Sequence, residues 1–227
     1  MSMLFLAAMA FVGTHFLLSH PLRAPLVRAT GEGAFLGIYS IVAIATLTWM
    51  VIAYRHAPTT ALLWSVGDGL WAVATVLMLL ASVLLAGSLV RNPALPKPGA
   101  PSAAPGSAVG VYAVTRHPMF WSFAIWGLAH MLVFPNTKTF ILTAAIMILS
   151  LAGAALQDRK KERLQPQVWP AWERHTSYFP FAAVVAGRSR LGGFGLFALL
   201  GGLVFWLAAT WAHLPLSGWP AGVWKWL

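Results

Sequence analysis

Apolar side chains gather in six runs along this chain, roughly Met3–Ser19, Ala34–Ala53, Leu70–Val90, Pro118–Pro135, Thr139–Gln157 and Phe194–His213, and none contains Lys, Arg, Asp or Glu. Each is about the length of a helix that crosses the ~30 Å hydrocarbon core of a bilayer. The apolar positions are continuous rather than alternating, which excludes the strands of an outer-membrane barrel. Turn-forming residues separate the runs: Ser19-His20-Pro21, Ala57-Pro58, Gly67-Asp68-Gly69 and Pro135-Asn136. The first run lacks both a positive leader and a small-residue cleavage site, so it reads as a retained helix rather than a signal peptide. The pattern predicts an all-α polytopic membrane bundle of about six transmembrane helices, in one domain over residues 1–227.

Composition agrees. Of 227 residues 59% are hydrophobic, 9% are charged and none is cysteine, and the mean hydropathy is +0.75. A soluble domain is about a quarter charged. A soluble enzyme, a disordered chain, a disulfide scaffold and a thiolate metal or iron–sulfur site are thereby excluded. The net charge of +10 sorts with topology and anionic lipid rather than with nucleic acid. Twelve of the 15 Lys and Arg residues fall in the connections after the first, third and fifth runs, leaving Arg55, Lys138 and Lys225 on the other side. By the positive-inside rule those connections are cytoplasmic and both termini are periplasmic.

Two connections are long. Asn92–Ser107 is rich in Pro, Ala, Gly and Ser and reads as a flexible linker. Asp158–Gly193 runs from a charged stretch through Trp169, Trp172 and Tyr178 into the short apolar run Phe181–Ala186, the pattern of an interfacial amphipathic segment anchored by aromatics.

Within the runs the strongly polar side chains are histidines: His15 in the first and His130 in the fourth, with His117 opening the fourth. A neutral imidazole can donate from one nitrogen and ligate a metal through the other. Intramembrane histidines on separate helices are a workable axial set for haem iron, and His15 with His130 is the leading pair. His20, His56, His175 and His213 read instead as interfacial or helix-packing residues. Arg116-His117-Pro118 places a cation and an imidazole at a helix start, where they suit an anion such as a carboxylate, haem propionate or phosphate; a topological stop explains the arginine equally well. Nucleophilic triads, P-loops, Rossmann glycines and zinc-type His–Glu spacing are absent from the sequence.

Val114-Thr115-Arg116-His117-Pro118-Met119-Phe120-Trp121, continuing through Ile125-Trp126-Gly127-Leu128-Ala129-His130, resembles the signature of the NnrU family. Gly31-Glu32-Gly33-Ala34-Phe35 after a histidine-bearing first helix, and Thr176-Ser177-Tyr178-Phe179-Pro180-Phe181 with Gly187-Arg188, extend the likeness over nearly the whole chain. The resemblance implies a bacterial inner-membrane protein linked to nitrite and nitric oxide reduction. It also implies kinship with a plant isomerase of ζ-carotene that uses haem b, with His130 and His15 as haem histidines. Reduced haem there lowers the order of a polyene double bond so that it rotates, while the protein supplies ligation and orientation. Counted from the basic ends, His15 lies about four residues deep and His130 about twelve, roughly 12 Å apart in depth. Depth therefore favours His117 with His15 or His20, and both pairings stay open.

A second likeness competes. Arg116-His117-Pro118 with Glu162, Trp169, Trp172 and Pro180 is similar to membrane methyltransferases of the isoprenylcysteine carboxyl type, which bind S-adenosylmethionine. Here Gln165-Pro166-Gln167 stands where that pattern has glycine, and one of its paired glutamates is missing. A non-catalytic haem or haem-delivery subunit is a third reading.

Overall fold

The computed structural model describes residues 1–93 and 108–227; most of the expected linker, Asn92–Ser107, lies outside them. Among the described residues the chain is helical throughout its regular structure. The elements are α1 (Ser2–Ser19), α2 (Arg23–Thr30), α3 (Glu32–His56), α4 (Asp68–Ser88), α5 (Val111–Val114), α6 (Pro118–Val133), α7 (Thr137–Leu164), α8 (Trp169–His175), α9 (Ala182–Val185) and α10 (Leu196–Ser217), followed by a 3-10 turn at Gly222–Lys225. Five of these, α1, α3, α4, α7 and α10, are long and apolar enough to cross a membrane. The remaining apolar run forms α6, only 16 residues long, or about 24 Å at 1.5 Å per residue.

The long helices pack in the order α10, α4, α6, α7, α1, α3. Small side chains predominate at their contacts, where Ala7, Ala8, Ala53, Ala74, Ala81, Ala86, Ala124, Ala129, Ala145 and Ala154 are buried beside a few large ones such as Leu4, Phe11 and Met50. What lies outside is large, including Phe5, Ile41, Ile44, Val76, Leu80, Phe197, Val204 and Trp211. A water-soluble bundle has the reverse pattern. In lipid there is no hydrophobic gain from hiding Leu or Phe, so small side chains that let backbones approach decide the interfaces. Gly202 on α10 is the tightest case, since a Cβ there would sit 2.7 Å from the Val83 Cα of α4. Gly127 on α6 likewise faces Met147 of α7, where a Cβ would come 2.7 Å from Cγ.

Two departures from the sequence pattern matter for function. The charged stretch from Asp158 to Leu164 continues α7 rather than leaving it, because Lys, Arg, Glu and Leu are good helix formers and Gln165-Pro166 is the first stop. Trp169 and Trp172, expected as anchors facing lipid, instead point inward at 1% and 2% exposure and pack with Leu84, Val111, Tyr112, Val114 and Ala198. Phe179, Phe181 and Val185 hold the outward positions.

Candidate functional site

Polar chemistry collects at two places, one at each end of α6. At its start, Thr115 through His117 are strapped to the segment after α8. Arg116 N–H donates to the Ser177 carbonyl (2.8 Å), and Phe181 N–H to the Val114 carbonyl (2.7 Å). The Thr115 hydroxyl and the Trp121 indole both donate to the Tyr178 carbonyl, at 2.7 and 2.9 Å. Pro118, which has no N–H to lose, then opens the helix with His117 as its N-cap.

This strapping aims Arg116 and His117 at one carboxylate. Asp158 Oδ2 accepts from Arg116 Nε and Nη2, each at 2.8 Å, while Oδ1 accepts from His117 Nε2 at 2.8 Å. Glu173 of α8 adds a longer contact to Arg116, 3.3 Å. Asp158 is 6% and His117 2% exposed. Burial pushes the Glu173 carboxyl above the usual carboxylate range; Arg116 opposes this, and Asp158 and Glu162 reinforce it. Burial, then Asp158, also raises the Tyr178 phenol. His117 Nδ1 is buried without a hydrogen-bond partner among the described residues, and the imidazole lies 5.8 Å from the rings of both Phe120 and Tyr178. The groups foreseen as an anion clamp are thus brought together, and the anion they hold is a side chain of the same protein. Asp158 was not singled out as a site residue by the sequence, where 41 positions separate it from His117; its signal is scarcity, as one of only five acidic residues.

At the other end, His130 lies three residues before the end of α6. Its Nδ1 is 2.8 Å from the Trp126 carbonyl, and its ring lies against the Trp126 indole and near the ring of His213 on α10, with centroids 4.3 and 6.2 Å away and planes tilted by 37° and 38°. His15 resides elsewhere. Its Nδ1 meets the Phe11 carbonyl at 2.7 Å, and its ring sits against Phe11 and Tyr39 near the end of α1 that joins the basic side. With α7 between α1 and α6 in the packing order, the structure shows no contact between His15 and His130. It does not bring His117 to His15 or His20 either. His20 ends α1, its pKa lowered by burial and then by Lys160 and Arg163. Among the described residues no group of three or more His, Cys, Asp or Glu is arranged to hold a metal ion.

A family model described as NnrU protein matches residues 3–221. The chain belongs to the NnrU family. Two curated relatives are 15-cis-zeta-carotene isomerase, chloroplastic, from Zea mays and from Arabidopsis thaliana, each 32% identical over 82 residues. That stretch is 36% of this NnrU chain and 22% of each relative, so the chain aligns with about a fifth of their length. No solved structure matches.

Proposed function

We propose that this NnrU protein is a haem b-binding membrane isomerase that converts a cis double bond of a hydrophobic polyene to trans. The observation that carries the reading is His130. A carbonyl oxygen only accepts, so the contact from Trp126 fixes the proton on Nδ1 and leaves Nε2 with a free lone pair. That arrangement is the one in which metal-bound histidines are commonly held. The donor set suits haem: an imidazole in an apolar helix, packed against the Trp126 indole with the rings tilted by 37°. The similarity to the plant isomerases supplies the reaction class.

His130 would hold the iron and Trp126 would orient its ring. Haem, when bound, supplies a redox-active centre able to weaken a conjugated double bond. The chain's own contribution is ligation, orientation of the polyene along apolar helices, and exclusion of water. Arg116 and His117 would hold the α6–α7–α8 junction through Asp158 rather than grip a propionate. In this reading the basic connections are cytoplasmic, the bilayer is a bacterial inner membrane, and both termini are periplasmic.

Purified protein reconstituted with haem should show a Soret band that shifts on dithionite reduction and is lost in His130→Ala. The loaded protein should convert a cis-polyene to its trans isomer by chromatography. Haem binding without turnover would turn the assignment to a haem subunit supporting nitrite or nitric oxide respiration. Colourless protein that binds S-adenosylmethionine at micromolar concentration would turn it to a methyltransferase.

A further inference from the structure

All five acidic residues of the chain are engaged. Asp68 pairs with Lys225, Asp158 and Glu173 with Arg116, and Glu32 with Arg23, while Glu162 hydrogen-bonds to Glu173. The basic residues are not matched in the same way. His20 caps the end of α1, Arg23 opens α2, and Lys160, Lys161 and Arg163 stand near the end of α7. Because α7 packs on α1, these helix ends come together. Arg23 is near enough to repel both Lys160 and Lys161, and Lys160 and Arg163 repel a protonated His20. Lys161 donates to the Pro93 carbonyl at 3.3 Å, and Arg163 Nε to the Arg159 carbonyl at 3.2 Å. Lys160 is half-buried and forms no ion pair among the described residues. Residues 94–107 hold no Asp or Glu that could supply one.

A half-buried ammonium among other cations is costly unless an anion stands beside it. Arg116 marks the contrast, since its charge meets Asp158 at 2.8 Å within the chain. The position of the cluster says where its own anion comes from. The apolar run of α7 ends at Gln157, so Lys160 and Arg163 stand roughly 5 and 9 Å beyond it along the axis. That is the level of lipid phosphates, at which basic clusters between helices recognise anionic headgroups. Leu17 and Leu22, in the same segment as His20 and Arg23, are exposed and offer an acyl chain an apolar surface beside the charge. We infer that the junction of α1, α2 and α7 binds the phosphodiester of an anionic phospholipid, with Lys160 as the central cation and Arg23, Arg163 and His20 around it. The site stands apart from the haem reading and does not depend on which leaflet the junction faces.

The test is native mass spectrometry of the full chain, released from a neutral detergent containing dioleoyl phosphatidylglycerol and dioleoyl phosphatidylcholine at equal concentration. Wild type should retain one phosphatidylglycerol in preference to phosphatidylcholine. A cation near an anionic headgroup is worth about fivefold in affinity, so Lys160→Gln and Arg163→Gln should each weaken phosphatidylglycerol about fivefold and together about 25-fold. Lys160→Arg keeps the charge and should match wild type. Arg55→Gln should match it too, because Arg55 ends α3 at the opposite face of the bundle. Arg163 is exposed, so its variant reports on the site even where Lys160→Gln fails to fold. Equal retention of the two lipids by wild type overturns the proposal, as does an affinity unchanged in Arg163→Gln or weakened as much in Arg55→Gln. Displacement of the lipid by millimolar inorganic phosphate also overturns it, since the ligand would then be a free anion.

Discussion

Removing the Asp158 carboxylate is the sharpest probe of how the start of α6 is held. Asp158→Ala leaves both nitrogens of His117 buried with nothing to bond, since Nδ1 already has no partner and Nε2 loses its only one. It also strips Arg116 of the two contacts at 2.8 Å, leaving the 3.3 Å contact to Glu173. Breaking a buried ion pair from one side costs about 3–5 kcal/mol, because the partner stays buried and uncompensated. Glu173 cushions the loss, so we expect the lower end, about 3 kcal/mol. Glu173→Gln touches only the longer and more exposed contact and should cost under about 1 kcal/mol. Arg116→Met made on top of Asp158→Ala should cost less than Arg116→Met alone, because the partner it would orphan is already gone. Reversible unfolding in mixed micelles, followed by tryptophan emission, measures all four variants. If Asp158→Ala were no worse than Glu173→Gln, or if the double variant were additive, the carboxylate would not be the tie we describe.

Three further outcomes follow from the packing. Gly202→Ala drives a methyl into the backbone at Val83, whereas the Cβ of Gly201→Ala would meet only the Ala86 Cβ at 3.6 Å. In the same unfolding assay the first should cost about 1–3 kcal/mol and the second close to nothing. Asn136 caps α7 by accepting from Thr139 N–H at 3.1 Å, so Asn136→Ala should lose about 1 kcal/mol. His20 titrates below its ordinary value because of burial and then Lys160 and Arg163. Its protonation therefore favours the unfolded chain: stability is whole above about pH 6.5 and declines as pH falls from there through the folded-state value. His20→Gln should flatten that part of the stability–pH curve.

The long helices were legible because lipid demands an unbroken apolar run for each crossing, and Gly, Pro and Asn mark where each stops. Less legible was α2, whose Arg23 and Arg28 break the apolar pattern while favouring helix locally. The extension of α7 was hidden for a similar reason, since hydropathy falls at Asp158 although helix propensity does not. Arg116 and His117 announced themselves beside Pro118, but their partner emerges only when α7 comes alongside α6. His213 was equally opaque. Its ring contact with His130 spans 83 positions and depends on α6 and α10 both leaning on α4, which a single sequence does not record. The inward turn of Trp169 and Trp172 shows the same limit, because an indole suits a membrane surface and a buried junction alike.

The short helix α6 is tied at both tips. His117 is locked to Asp158 at its start, and about 20 Å along the axis the Trp64 indole donates to the Leu132 carbonyl at 3.1 Å while Leu63 N–H donates to the Pro135 carbonyl at 2.8 Å. A helix of 16 residues is thereby kept in register by polar fastenings at each end, so its depth in the bundle does not depend on its own length.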